Sequence, residues 1–169
     1  MNKRFLIFLV ILTIIVIGVV LNVEREKPVV EDWEVVLYFA DAEAMYLEAE
    51  TGVISTTAAD LYSDTLKELV KGPRTDYLIK TIPEGVRILS VDINNGDCRV
   101  NFSQELVDNH WGGSTGERMT VYSIVNTLTQ FAEIDRVKIL IEGQEINTLA
   151  GHMDLTIYLE PDRELIAED

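Results

Sequence analysis

The residues whose spacing most resembles a catalytic site lie in the glycine-rich segment 112–116, which reads GGSTG. This segment matches the G-x-S-x-G pattern, in which a sharp turn between a strand and a helix exposes a nucleophilic serine. Asp135 and His152 follow Ser114 in the order Ser, Asp, His that α/β hydrolases use for acyl transfer. The spacing therefore raises a serine hydrolase as one hypothesis.

The residues around Ser114 favour a structural role over that chemistry. The nucleophile turn needs a buried strand directly before the serine, whereas residues 108–111 read DNHW, which is a poor strand. Ser114 and Glu117 instead have the S-x-x-E spacing of a capping box at a helix N-terminus. We therefore predict no catalytic residue and no enzyme activity, and a serine hydrolase is the least favoured function.

The metal ligands that the sequence offers are too few for a site. His152 and Asp154 form a His-x-Asp pair, but a protein zinc site needs three or four convergent ligands. Cys98 is the only cysteine, which excludes an internal disulfide and a cysteine-based zinc site. It alternates with Val100 and Phe102, as a small core residue would. We predict no metal and no cofactor.

Trp111 is the strongest candidate for recognition. It lies between His110 and two glycines, in a segment that predicts an exposed loop. A tryptophan in such a loop either anchors a binding partner or covers the core of its own domain. The sequence leaves both alternatives open.

The longest apolar run of the chain, residues 5–21, predicts a membrane anchor. It has no charged residue, and a transmembrane helix needs about 17–25 apolar residues. No small-residue cleavage pattern follows it, so an uncleaved anchor is favoured over a signal peptide. Lys3 and Arg4 before the run are matched by Arg25 and Lys27 after it. The free amino terminus tips the balance towards an inside N-terminus and a single-pass membrane protein with an extracytoplasmic domain.

The charge of the remaining chain excludes one class of partner. The sequence has 29 Asp and Glu against 14 Lys and Arg, and its formal net charge is −15 at pH 7. Nucleic acid is an improbable ligand, since lysine and arginine are needed to neutralise phosphates. Cationic partners are compatible with this charge.

The hydrophobic periodicity predicts a single α+β domain. A mostly antiparallel or mixed sheet carries two main helices on one face, because two amphipathic helical patterns interrupt several short strands. The predicted strands lie at 33–40, 45–50, 86–93, 98–102, 135–142, 146–149 and 155–159, and the helices at about 58–70 and from Ser114 to about 132. The predicted organisation is a membrane anchor over 1–23, a charged linker over 24–32, the domain over 33–160 and a frayed acidic tail over 161–169.

Several of these segments together resemble the GerMN domain family of sporulation and spore-germination proteins. The matching segments are VVLYF at 35–39, LVKGP at 69–73, IPEG at 82–85, RVNFS at 99–103, YSIVNTLTQF at 122–131 and VKILIEG at 137–143. The resemblance covers residues 34–159, in one copy. Asn126 and Thr127 lie inside the apolar helix of this pattern, where we expect them to hydrogen-bond neighbouring backbone.

The resemblance implies a non-catalytic, extracytoplasmic interaction or assembly domain of the bacterial cell envelope, related to sporulation or germination. Its expected partners are envelope proteins or further copies of itself. The alternative function is binding of a cell-wall polymer such as peptidoglycan, for which Trp111 is the candidate contact.

Overall fold

A computed structural model of the chain describes residues 2, 3, 5, 11–13 and 28–167. Most of the predicted anchor over 5–21 and the first part of the predicted linker lie outside these residues. Within the described part of the chain, no helix is long and apolar enough to cross a membrane.

The domain begins with a long β-hairpin. Strand β1 spans Val30–Ala40 and pairs antiparallel with β2, Leu47–Thr57. The carboxylate of Asp41 closes the turn, since it accepts the backbone N–H groups of Met45 at 2.7 Å and Tyr46 at 3.1 Å. Both strands are longer than predicted, and β2 continues to Thr57, directly before the predicted helix start at about residue 58.

Helix α1 spans Leu61–Lys71 and ends where the sequence indicated. Its Leu61, Leu66 and Leu69 are buried, as the helical spacing predicted. Gly72 takes a positive φ of 95°, which glycine adopts without steric cost, and its N–H donates to Leu69 O. Pro73 then prevents the helix from continuing.

A mixed sheet of four strands follows the hairpin. Its order is β3 (Ile88–Asn94), β4 (Gly96–Phe102), β5 (Ile134–Ile141) and β6 (Gln144–Glu145). Strands β3 and β4 are antiparallel through a turn at Asn95 and Gly96, and β4 and β5 are parallel. The short helix α2 (Glu105–Asp108) and the long helix α3 (Ser114–Leu128) connect β4 to β5, which allows the parallel pairing.

Both sheets and both main helices share one hydrophobic core. Its fully buried members include Phe39 from β1, Leu69 from α1, Phe102 from β4 and Ile124 from α3. Cys98 also lies in this core, where burial, helped by the charge of Asp92, raises the pKa of its thiol to about 12. The predicted α+β fold is confirmed, although its strands form two sheets. The predicted strand at 155–159 contributes only one bridge, between Val137 and Leu159.

The prediction of a frayed tail is wrong for residues 161–167. Arg163–Leu165 forms a turn of 3₁₀ helix, and Leu165 is buried. Ile166 forms a parallel bridge with Leu47, and the N–H of Ala167 donates to Leu47 O at 2.9 Å. The prediction was based on the many acidic residues of the segment and overlooked Leu165 and Ile166, whose contacts hold it to the domain.

Candidate functional site

The predicted hydrolase residues do not converge. Ser114 is exposed at the first position of α3, and a loop instead of a buried strand precedes it. Helix α3 has 15 residues and is therefore about 22 Å long. Asp135 follows its far end and lies directly against Gly96, at the turn between β3 and β4. Helix α3 thus separates Ser114 from Asp135.

The predicted capping box is also wrong. Gly113 is the N-cap residue of α3, and no side chain caps this end. Glu117 is 0% exposed and turns towards the loop 148–152. Its Oε1 accepts the N–H of Leu149 at 2.8 Å and that of Ala150 at 3.1 Å. Its Oε1 also accepts the Thr148 hydroxyl, and its Oε2 accepts the N–H of His152 at 2.8 Å.

The buried Glu117 carboxylate is therefore a structural anchor for a loop. Burial alone would raise its pKa, but the hydrogen bonds from Thr148, Ala150, His152 and Leu149 outweigh burial and lower the pKa below its ordinary value. Glu117 thus remains ionised at neutral pH. The sequence alone does not distinguish this arrangement from a capping box, because the hydrogen-bond partners of Glu117 in the loop 148–152 lie more than 30 residues further along the chain.

His152 and Asp154, the His-x-Asp pair of the sequence, make different contacts. His152 is exposed, and Asp154 Oδ1 accepts the N–H of Thr156 at 2.9 Å and its hydroxyl at 2.6 Å. Among residues 28–167 and the few described before them, no group of three or more His, Cys, Asp or Glu side chains is placed to hold a metal ion.

Trp111 borders an apolar depression that we call the Trp111 groove. Its volume is about 410 Å³, and its lining comprises Ala40, Ala44, Ile79, Lys80, Thr81, Trp111, Gly116 and Met119. The indole is 54% exposed and lies against Gly116 in the first turn of α3. A Cβ added at Gly116 would lie 2.6 Å from Trp111 Nε1, so the glycine permits this position of the ring. The ring thus lies at the rim of the groove and is not enclosed in the core.

A chain of hydrogen bonds holds the Trp111 loop in place. The N–H of Gly112 donates to His110 Nδ1 at 2.9 Å, and His110 Nε2 lies 3.2 Å from Thr120 Oγ1. The Thr120 hydroxyl donates its only proton to Thr81 O at 2.6 Å, so it accepts from the imidazole Nε2–H. His110 is therefore neutral, with its proton on Nε2. Its ring stacks on Trp111 at 5.3 Å between centroids.

We predict that this arrangement makes the domain less stable in mild acid. Burial lowers the pKa of His110 below its ordinary 6.5, although the charge of Glu117 opposes that effect. The unfolded chain therefore binds this proton first, and stability falls as the pH drops from about 7 to about 5. Urea unfolding across this range should show a smaller slope against pH for His110→Gln than for the wild type.

His152→Gln is the matched control for that experiment, since His152 is exposed. Its profile should follow the wild type. Equal slopes for His110→Gln and the wild type would contradict the hydrogen-bond assignment, because the neutral imidazole would then make no difference to folding.

The polar residues near the end of α3 bind backbone, but Asn126 and Thr127 bind distant segments instead of the neighbouring backbone that the sequence predicted. Thr127 Oγ1 accepts the N–H of Tyr38 at 3.2 Å. The Asn126 amide exchanges two hydrogen bonds with the backbone of Asp162, at 3.0 and 3.1 Å. The structure adds Gln130, whose side chain accepts from Val36 N and donates to Val36 O, both at 2.8 Å. Gln130 and Thr127 therefore pair with the free edge of β1 as a neighbouring strand would.

Comparison with known proteins identifies relatives of this domain. A family model described as Germane: Sporulation and spore germination matches residues 36–147, more than half of the chain. Among solved structures, the first GerMN domain of the sporulation protein GerM from Bacillus subtilis is 25% identical, with a TM-score of 0.64 over 78% of this chain and 98% of that one. No curated protein matches the chain.

Two further structures extend the comparison. The tandem GerMN domains of the same Bacillus subtilis protein are 25% identical, with a TM-score of 0.65 over 77% of this chain and 46% of that one. The chain thus spans about half the length of that relative. A Clostridium perfringens protein described as a lipoprotein, 23% identical, shares the fold with a TM-score of 0.56, over 80% of this chain and 89% of that one. From the matched residues 36–147, the chain belongs to the Germane family of sporulation and spore-germination proteins.

Proposed function

We propose that this chain is a non-catalytic interaction domain that binds a partner protein of the bacterial cell envelope at the Trp111 groove. The observation that carries the proposal is the exposed indole beside an apolar groove. Tryptophan is enriched among the residues that contribute most to protein interfaces, because one ring supplies a large contact area. His110 and Gly116 already hold the ring in position, so little ordering is needed on binding.

The contacts of the former catalytic candidates support a non-catalytic role. Ser114 and Asp135 lie at opposite ends of α3. The buried carboxylate of Glu117 is fully engaged by one loop and faces no cleft. The deeply buried thiol of Cys98 is held protonated by its surroundings, which makes it a poor nucleophile.

A membrane position outside the cytoplasm is part of the proposal. It is supported by the apolar run over 5–21 and by the resemblance to GerMN domains, since Lys and Arg are equally frequent on the two sides of the run. Because β1 begins at Val30, the connection to the anchor comprises residues 24–29, fewer than the predicted linker. Six residues extend at most about 20 Å, so the domain would work close to the bilayer.

Photo-cross-linking in native membranes tests the proposal directly. Met45 is 62% exposed and follows Ala44 of the groove, so Met45→p-benzoylphenylalanine places a cross-linker at its edge. We expect a discrete protein adduct in at least one growth stage. Trp111→Ala in the same chain should reduce that adduct at least about tenfold, as for loss of an interface anchor worth about 2 kcal/mol.

Val53→p-benzoylphenylalanine is the matched control, since Val53 has similar exposure but lies about 20 Å along β2 from the turn. The same adducts from positions 45 and 53 would refute a specific site, as would adducts that persist without Trp111. Cell-wall binding is the alternative. Its signature would be pull-down by purified wall that depends on Trp111, with no protein adduct at position 45.

A further inference from the structure

We infer that the occupant of the Trp111 groove is an extended peptide segment of the partner, with apolar side chains in the groove and Lys or Arg beside them. The segment pairs with the open backbone edge at Lys80 and reaches the hydroxyl of Thr81. This inference rests on the proposed function and specifies the chemistry of the partner.

The first observation is an unpaired stretch of backbone in the groove wall, next to an isolated bridge to β1. Ile79 exchanges both backbone hydrogen bonds with Ala40, at 2.7 and 3.2 Å, so its N–H and C=O point towards β1. In an extended chain the backbone groups of successive residues alternate, so those of Lys80, which lines the groove, would face away from β1. Neither its N–H nor its C=O has a hydrogen-bond partner among the described residues. An edge of this kind accepts an added strand, as in other peptide-binding domains.

The second observation is a buried hydroxyl without a partner. Thr81 lines the groove and is 1% exposed, and within the described chain its Oγ1 has no hydrogen bond. Its backbone carbonyl is already occupied by the Thr120 hydroxyl. Among the described residues, Thr81 Oγ1 is one of four buried side-chain polar atoms without a partner, and it is the one that belongs to the groove lining. Burial of an unpaired hydroxyl costs free energy, which a hydrogen bond from a ligand would recover. A peptide whose backbone pairs with Lys80 would place its next N–H or C=O group near the Thr81 hydroxyl.

The third observation is the charge around the groove. Glu84 is 87% exposed at its side chain, and Glu43, which precedes Ala44, is also exposed. Lys80 is the only cation of the lining, and its ammonium bonds to Glu84 at 2.7 Å. The whole chain carries a net charge of −15. These charges favour cationic residues on the segment that binds, and they disfavour acidic ones.

A library of random displayed heptapeptides, panned against the full chain in detergent, tests the inference. Enriched peptides should contain two or more apolar residues flanked by Lys or Arg. A synthetic copy of the most enriched peptide should bind at least tenfold more weakly when its central backbone nitrogen is methylated. Thr81→Val should weaken the same peptide at least fivefold while its own thermal midpoint stays equal or rises. Thr81→Ser, which keeps the hydroxyl, should bind within twofold of the wild type.

Three results would overturn the inference. The first is that no peptide is enriched, and the second is that acidic peptides are enriched. The third is that neither backbone methylation nor Thr81→Val changes the affinity of the enriched peptides. These results leave the proposed function standing if the position 45 adduct still depends on Trp111. Loss of that dependence removes the proposed function itself, whatever peptides are selected.

Discussion

Replacing Glu117 with alanine is expected to lower the free energy of unfolding by about 3–4 kcal/mol at pH 7. The carboxylate is completely buried, and it is the shared acceptor for three backbone N–H groups and the Thr148 hydroxyl. Alanine leaves those donors without a partner in a loop that is closed around them. An orphaned buried donor costs about 1–3 kcal/mol, although water entering the space reduces the sum. Urea unfolding at pH 7 measures the loss.

Glu117→Gln separates charge from shape. Its amide keeps one acceptor oxygen. The NH₂ group takes the place of the other oxygen and brings two hydrogen-bond donors together, so we expect an intermediate loss of stability. Glu164→Ala is the matched control, since Glu164 is exposed and should change stability by less than about 0.5 kcal/mol. A loss for Glu117→Ala no larger than for Glu164→Ala would contradict the structural role.

The pH dependence gives the same residue a second readout. Its pKa is lowered in the folded state, so the folded chain binds this proton later than the unfolded chain does. The stabilising contribution is therefore complete above the unfolded pKa of about 4.3, and it is lost as the pH falls towards the folded pKa. Between about pH 4.5 and pH 3, the wild type should lose stability more steeply than Glu117→Ala.

Asn126→Ala is expected to cost about 2–3 kcal/mol and to release the C-terminal segment. The Asn126 amide satisfies both the N–H and the C=O of Asp162, and the side chain is 4% exposed. Without it, the segment 161–167 keeps the packing of Leu165, the bridge to Leu47 and the ion pair of Asp162 with Arg118 at 2.7 Å. Unfolding measurements give the total loss, and the rate of trypsin cleavage after Arg163 reports local opening.

Thr129→Ala, at the C-cap position directly after the same helix, is the control. The Thr129 hydroxyl donates to the carbonyl of Val125 within the helix, so its removal should cost less than about 0.5 kcal/mol and leave cleavage at Arg163 unchanged. Equal cleavage rates for Asn126→Ala and the wild type would show that the amide does not hold the tail.

The parts of the fold that the sequence predicted depend on contacts between near neighbours. Helix α1 ends at Gly72 and Pro73, and Asn95 and Gly96 form the turn between β3 and β4, because these residues impose their conformations locally. The failures concern distant partners. Glu117 has the spacing of a capping residue, but the loop that binds it lies more than 30 residues further along. The tail appeared disordered because its acids outnumber Leu165 and Ile166, which have partners near Leu47.

The candidate site divides in the same way. Trp111 was recognisable because glycines flank a large aromatic residue, which is a local signal. The groove beside it combines Ala40 and Ala44 from the hairpin with Ile79 and Thr81 from the loop after α1, and with Met119 from α3. No periodicity within one segment indicates that these three segments meet. Thr81 in particular has no sequence signature, since its importance lies in an unpaired hydroxyl.

The pairing of Gln130 with Val36 has a consequence for synthesis of the chain. The two residues are 94 positions apart, so β1 is synthesised long before Gln130, whose side chain pairs with its edge. At about 5–20 residues per second, a ribosome needs roughly 5–20 s to reach Gln130 after Val36. During that interval the hairpin presents an open edge that can pair with other nascent chains. Substitutions of Gln130 and Thr127 would keep this edge open after the interval has ended, so they should increase aggregation during expression.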